Sequence, residues 1–148
     1  MKKKHLIAST LSLLTVIATL NIAAGQSAIA QTSSTITVDG TKIASGSTTP
    51  GATNWQPYTN PAYPGWIYVD IDTSKAKFTT TPQYTISIGD PNNDGAAAWT
   101  IGTSTVYLAT PTGFRVYLRF TDESGEKDLT PEKANQYKWQ VNWIGIGK

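Results

Sequence analysis

Apolar and polar residues alternate with a period of two along much of residues 66–148, which is the pattern of half-buried β-strands. The clearest stretch is GFRVYLRF, where bulky apolar side chains at the even positions alternate with Arg115, Tyr117 and Arg119. WIYVDID, QYTISIG, STVYLAT and QYKWQVNW have the same period, and turn-forming residues separate them. The pattern predicts an all-β fold, an antiparallel β-sandwich of six to seven short strands in a domain at residues 66–148.

Two local departures from this period lie near the C-terminus. In LTPEKAN, Thr130 can cap a helix and Pro131 suits the first helical position, so one short helical turn is predicted between two strands. In VNWIGIG the apolar positions change parity after Trp143, to Ile144 and Ile146. A change of parity inside one strand predicts a β-bulge there.

The segment that precedes this domain, residues 31–65, is rich in Ser, Thr, Gly and Pro. STITVDG has room for one edge strand, with Ile36 and Val38 on one side and Asp39-Gly40 as a turn. From Ile43 to Pro64 the prolines and glycines predict mostly loop. We therefore expect an N-terminal segment that contributes one edge strand at most.

The first thirty residues have the features of a secretory signal peptide. Three lysines at positions 2–4 precede an apolar run from Leu6 to Ala24, and Ala28-Ile29-Ala30 is a small-x-small cleavage pattern. Cleavage after Ala30 predicts a secreted, extracellular protein (periplasmic where the cell has an outer membrane) without membrane contact. The alternative is an uncleaved membrane anchor, because the apolar run is about long enough to span a bilayer.

The composition that remains without residues 1–30 argues against several classes of function. The only histidine, His5, and the only methionine are lost with that segment, and the chain has no cysteine. A Ser-His-Asp triad, a thiolate nucleophile and soft zinc ligands are therefore missing, and we expect a protein that is not an enzyme. Nine basic and ten acidic residues remain, a net charge of −1 without a basic tract, so we expect no nucleic-acid partner.

The stretch DPNNDG places Asp90, Asn92 and Asp94 at alternate positions, as in the first half of a calcium-binding loop. The twelfth position of such a loop needs a carboxylate, but it is Ile101 here. Asp-Pro and Asn-Asp-Gly are ordinary turn formers. The sequence predicts a turn and no bound metal or other cofactor; calcium held with the help of other loops is the weaker alternative.

The outward positions of the predicted strands carry aromatic and charged side chains. If neighbouring strands bring them together, they form one exposed surface of seven residues: Trp66, Tyr68, Asp70, Tyr107, Arg115, Tyr117 and Arg119. Flat rings stack on the apolar faces of sugars, and Asp and Arg hydrogen-bond to hydroxyl groups. The structural alternative is that these residues only form ordinary cross-strand pairs. Asp70 and Asp72 also resemble a glycosidase carboxylate pair, but Asp72 begins a turn.

FTTTPQYTISIG, TGFRVYLRFTD and the terminal VNWIGIG resemble the H-type lectin pattern over roughly residues 67–147. In that family a segment with Phe and Pro leads into a strand, a Gly-Phe strand follows, and a tryptophan strand ends the domain. The matching residues are Phe78, Pro82, Gly113, Phe114, Trp143 and Gly147. Gly145 stands where alanine is usual. The resemblance implies a six-stranded antiparallel sandwich, often a trimer, that binds N-acetylgalactosamine-type sugars between subunits.

These observations lead to two expectations of function. The first is a secreted, non-catalytic, lectin-like domain whose partners are glycans and which can form a homo-oligomer. The second is an extracellular structural or adhesive domain whose exposed rings bind protein partners.

Overall fold

The computed structural model describes residues 28–29, 31–93, 95–125 and 128–148, which form two β-sheets and one short helix. The strands are β1 (Ala28–Ile29), β2 (Gln31–Val38), β3 (Thr41–Ser47), β4 (Gln56–Pro57), β5 (Trp66–Asp72), β6 (Gln83–Gly89), β7 (Thr100–Ile101), β8 (Tyr107–Thr110), β9 (Gly113–Phe120) and β10 (Gln140–Gly147). The helix is α1 (Pro131–Gln136), and 3₁₀ turns lie at Ser74–Ala76, Ala96–Trp99 and Asp122–Ser124. The predicted all-β sandwich with one helical turn is confirmed.

The two sheets differ in how continuous their strands are. The six-stranded sheet has the order β1-β5-β9-β7, with β4 also paired to β5 and β8 also paired to β9. The four-stranded sheet has the order β2-β3-β10-β6. Neighbouring strands are antiparallel except for β1, which runs parallel to β5. The inner faces of the two sheets enclose the core.

The core consists of the inward residues of the alternating strands. Ile67, Val69 and Ile71 of β5 are buried, and on β9 the even positions from Phe114 to Phe120 are buried in the same way. The four-stranded sheet contributes Trp143, whose ring centroid lies 6.5 Å from that of Phe114. Burial of this apolar surface is the main favourable contribution to folding.

β3 is a strand in a segment where the sequence predicted mostly loop. It lies between β2 and β10, with Gly46 opposite Trp143 and Ala44 opposite Gly145. These small inward residues leave space for the tryptophan ring, but they give no apolar alternation that a sequence pattern can register. β2 is the edge strand, and Asp39-Gly40 form the hairpin turn with positive φ, as a two-residue hairpin requires. The sandwich therefore includes residues on both sides of residue 65.

The bulge predicted after Trp143 is wrong. β10 keeps one register with both neighbours from Asn142 to Ile146, and Ile144 and Ile146 lie on the outer face, each 48% exposed. The inward position between them is Gly145, where an added Cβ would lie 3.0 Å from the Phe78 ring. The core admits only a small residue at this point, so the apolar side chains of this part of β10 face solvent.

The helical turn forms as the sequence predicted. The hydroxyl oxygen of Thr130 accepts a hydrogen bond from the backbone N–H of Lys133 at 3.3 Å, and Pro131 is the first helical residue. Glu132 lies in the first turn, and its pKa is lowered by a hydrogen bond from its own backbone N–H and by the Thr130 hydroxyl. Ala134 is fully buried, so α1 closes one end of the core.

Candidate functional site

The register of β5 and β9 brings the outward residues predicted from the sequence onto one surface. Trp66 lies opposite Arg119, Tyr68 opposite Tyr117 and Asp70 opposite Arg115. β8, on the other side of β9, places Tyr107 opposite Arg115. The seven residues thus share the outer face of the six-stranded sheet. We call this surface the aromatic face.

Arg115 and Asp70 form the polar part of the aromatic face. The Nε and Nη2 atoms of Arg115 each donate to one carboxylate oxygen of Asp70 at 2.7 Å, a bidentate pair. The guanidinium carbon also lies 4.0 Å from the centroid of the Tyr68 ring, and Nη1 donates to the Tyr117 hydroxyl at 3.3 Å. The hydrogen bond with Asp70 is the main reason that the pKa of Arg115 is raised. The two charges therefore neutralise each other and are fixed in position.

Tyr117 is at the centre of a cluster of rings. Its centroid lies 5.0 Å from that of Tyr107, 5.9 Å from that of Tyr68 and 6.5 Å from that of Trp66. The contacts with Tyr107 and Trp66 are edge-to-face, which is the arrangement that the ring quadrupoles favour. The rings therefore hold each other in place.

The loop between β4 and β5 supplies two more rings that the sequence analysis missed. Tyr58 packs edge-on against Tyr117 at 5.2 Å, and Tyr63 lies 6.4 Å from Trp66. A turn positions Tyr63, because its backbone N–H donates to the carbonyl of Asn60 at 2.9 Å. In the sequence, these two tyrosines lie in a turn-rich segment directly before a predicted strand. That segment has no alternation of apolar and polar residues, so the sequence pattern could not assign the two rings to a face of the sheet.

These rings enclose an open pocket of about 370 Å³ on the outer face of the sheet. It is lined by Tyr58, Tyr63, Trp66, Tyr107 and Tyr117. Tyr63 and Tyr107 form its accessible rim, with exposures of 50% and 41%. A pocket of this size with aromatic walls suits a flat ligand that has both apolar surface and hydrogen-bonding groups.

Arg119 lies at one end of the aromatic face. Its guanidinium carbon is 5.6 Å from the centroid of the Trp66 ring, and its Nη1 atom is 3.2 Å from a carboxylate oxygen of Asp122. Asp122 is 91% exposed, so this pair is weak. Trp66 also lines another open depression, together with residues that include Asp128 and Glu132.

The segment considered for calcium forms a turn. The backbone N–H of Asn93 donates to the carbonyl of Asp90 at 3.0 Å, and the Asn92 side chain donates to the carbonyl of Tyr137 at 3.2 Å. The third candidate, Asp94, lies outside the described residues. Within the described part of the chain, no three His, Cys, Asp or Glu side chains are grouped closely enough to hold a metal ion.

The carboxylates of Asp70 and Asp72 both have structural partners. Asp70 is held by Arg115, and Asp72 accepts a hydrogen bond from the backbone N–H of Ser74 at 2.8 Å, which begins the 3₁₀ turn there. Asp70 therefore holds Arg115, and Asp72 holds the turn that follows β5. In the same described ranges, no helix has the length and hydropathy needed to cross a membrane.

With Tyr58 and Tyr63, the aromatic face presents six rings around an open pocket and beside the Arg115–Asp70 ion pair. Comparison of the chain with protein-family models, with curated proteins and with solved structures finds no match.

Proposed function

We propose that the protein is a secreted, non-catalytic carbohydrate-binding domain that holds glycans on the aromatic face. The observation that carries the proposal is the open pocket of about 370 Å³ whose five lining residues are all aromatic. A pyranose ring presents C–H groups on one face, which pack against aromatic rings, and hydroxyl groups at its edge. Tyrosine hydroxyls at the rim supply matching hydrogen bonds. The resemblance to H-type lectins points to the same function and remains a prediction.

The Arg115–Asp70 pair of the aromatic face is suited to neutral sugars. Both Asp70 carboxylate oxygens accept hydrogen bonds from Arg115, so neither partner offers an uncompensated charge. An acidic sugar would have to replace Asp70 in both hydrogen bonds to reach the Arg115 guanidinium. We therefore expect Arg115 to give uronic or sialic acid polymers no advantage over neutral glycans.

The rim tyrosines provide the sharpest test. Tyr63→Ala and Tyr107→Ala remove half-exposed rings, so they should weaken binding to the best ligand of a glycan array by at least about tenfold while the fold survives. Tyr117→Ala should abolish binding, because four other rings pack against it. The matched control is Trp99→Ala, an aromatic residue that is 49% exposed and does not line the pocket.

A blank array, or binding that the three tyrosine variants leave unchanged, would refute the proposal. Isothermal titration with the array ligand gives the affinities, and circular dichroism checks each variant's fold. The same titration in EDTA tests the weaker calcium alternative. We expect no change, because among the described residues no three His, Cys, Asp or Glu side chains lie close enough together to hold a metal ion.

An adhesive domain that binds protein is the second candidate, and the exposed rim favours it. Tyrosine, tryptophan and arginine are enriched where proteins bind each other, and the aromatic face contains all three. A competition experiment distinguishes the two candidates. A free oligosaccharide should displace a partner that is bound through its glycans and should not displace a partner that is bound through its protein surface.

A further inference from the structure

At the β2 edge of the four-stranded sheet, the residues from Ser34 to Val38 are exposed, and the 3₁₀ turn Ser74–Ala76 lies close to part of the strand. Within the described residues, β2 has one strand neighbour, β3, on one side and no strand on the other. QTSSTITV has no charge, no proline and no glycine, and its C-terminal half is β-branched. Charges, prolines and bulges are the usual means by which proteins block such edges. From Ser34 to Val38 none of these is present, since the register irregularity lies between Thr32 and Ser34.

The edges of the six-stranded sheet are built differently. β4 has two residues and ends in Pro57, and β7 also has two residues. β8 is interrupted by a register shift and by Leu108, whose φ is 51°. These edges are short and irregular, so they offer little to a further strand. The contrast leaves the two edges of the four-stranded sheet, β2 and β6, as the long and regular ones.

The hairpin geometry determines which backbone groups of β2 face outward. A two-residue turn at Asp39-Gly40 makes Val38 and Thr41 a hydrogen-bonded pair, and Ile36 and Ile43 are the next such pair. The N–H and C=O groups of the residues between them therefore point away from β3. Those residues are Thr35 and Thr37.

We propose that β2 pairs antiparallel with β2 of a second copy of the chain, about a two-fold axis at Ile36. Thr35 of one copy then lies opposite Thr37 of the other, so the outward backbone groups pair with each other. Ile36 faces its own symmetry mate in a non-hydrogen-bonded pair, where side chains approach most closely. Val38 lies opposite Ser34, and the strand brings no charge opposite a like charge.

Apolar side chains on the outer face support a second copy as the occupant. Ile36 and Val38 are 55% and 56% exposed, and Ile43 and Ile146 continue the row that begins at Ile36. Pairing about the proposed axis joins the rows of the two copies into one apolar strip. The opposite edge strand, β6, lacks this property, because its outward residues are polar: Gln83, Thr85 and Ser87.

The size of the contact predicts a weak, reversible dimer. Five residues of one edge with their flanking side chains fall below the area of a standard stable interface, so we expect dissociation constants in the micromolar to millimolar range. The axis is perpendicular to the sheet, so the aromatic faces of both copies point to the same side. If that face binds glycans as proposed above, the dimer gains avidity for a surface that repeats the ligand.

Sedimentation velocity from about 1 μM to about 1 mM tests the dimer on protein purified from a secreting host. We expect a concentration-dependent shift toward twice the monomer mass. Ile36→Lys places a charge next to its symmetry mate, and Thr37→Pro removes an outward N–H that no hairpin hydrogen bond uses. Both should remain monomeric over the whole range. Thr85→Lys on the β6 edge is the matched control and should dimerise like the wild type.

Three outcomes would overturn the proposal. They are a wild-type protein that stays monomeric up to the highest concentration, dimerisation that survives Ile36→Lys, and dimerisation that Thr85→Lys abolishes. Thermal melting checks that each variant folds. If Thr37→Pro is unfolded, Ile36→Lys alone decides, because the Ile36 side chain lies on the exposed outer face. The result is independent of glycan binding, which the Tyr63→Ala and Tyr107→Ala variants test separately.

Discussion

The two outer faces of the sandwich carry different chemistry, although in both sheets the side chains alternate between the core and solvent. The aromatic face combines rings with a bidentate Arg115–Asp70 pair. The outer face of the four-stranded sheet has no charged side chain among its described strand positions and carries Ser, Thr, Asn, Gln, Ile and Val. Strand parity thus determines which residues reach solvent, whereas the residue types determine what each surface can bind.

The two faces also differ in the contacts that fix the positions of their side chains. On the aromatic face the side chains contact one another, with Tyr117 in contact with the rings on both sides of it. On the four-stranded face the side chains are short and the backbone pairing between β3, β10 and β6 is continuous. An open depression of about 370 Å³ lies over these strands, and its lining includes Ser47, Ser87 and Asn142. The aromatic walls of the pocket suit a small ligand with an apolar face, whereas the uncharged outer face beside the β2 edge suits another strand.

The largest predicted effect is the difference in unfolding free energy between variants at an inward and at an outward residue of β10. Trp143→Ala should lower the free energy of unfolding by about 3–5 kcal/mol, because it empties a fully packed position between the sheets. Ile144→Ala, one residue later, should cost less than about 1 kcal/mol, since that side chain is 48% exposed. Urea unfolding of both variants measures the two values. Similar costs for the two would mean that Ile144 is packed and that the uninterrupted register is wrong.

The sequence predicted the aromatic face well for a physical reason. The even positions of β9 are all apolar and the odd positions are polar or aromatic, so one period assigns every side chain of the strand. β5 has the same clear alternation, and two such strands paired in register bring their outward residues together. The seven residues therefore needed only parity and adjacency to be grouped, although their role in binding stays a prediction.

Other parts of the fold and of the pocket could not be predicted from the alternation of apolar and polar residues. In β3 and at the end of β10, glycine and alanine take the inward positions, so the apolar pattern vanishes or reverses although the strand continues. Tyr58 and Tyr63 reach the pocket because a turn closed by Asn60 folds over β5. Such a loop position depends on tertiary contacts and not on local alternation.

A loss of stability of intermediate size is expected when the hydrogen bonds of Tyr84, which join the two sheets, are removed. The Tyr84 hydroxyl of β6 lies 2.6 Å from the Thr73 hydroxyl and donates to the carbonyl of Thr110 at 3.1 Å. Thr73 directly follows β5 and Thr110 is the last residue of β8, so both partners belong to the other sheet. Tyr84→Phe should cost about 1 kcal/mol at neutral pH. A loss near zero would mean that water replaces these bonds.

The same tyrosine gives a pH dependence of known sign. Burial raises the pKa of Tyr84, so the folded state favours the neutral hydroxyl. Its contribution to stability is complete below the unfolded-state pKa of about 10 and is lost as the pH rises from there through the folded-state pKa. The difference in unfolding free energy between wild type and Tyr84→Phe should therefore shrink above about pH 10. Chemical unfolding at a series of pH values measures it, and a difference that grows would contradict the burial.

The smallest predicted effect, and the one that separates the two faces most directly, is a dependence on salt. A double-mutant cycle with Asp70→Asn and Arg115→Gln should give a coupling energy of about 0.5–1 kcal/mol, because the two side chains are 44% and 23% exposed and water screens their attraction. The coupling should fall as NaCl is raised. Asn142 and Ser87 are directly opposite on the four-stranded face, and the cycle of their alanine variants should not respond to salt, since neither residue is charged. If the two coupling energies changed equally with salt, charge attraction between Asp70 and Arg115 would not be a difference between the aromatic face and the four-stranded face.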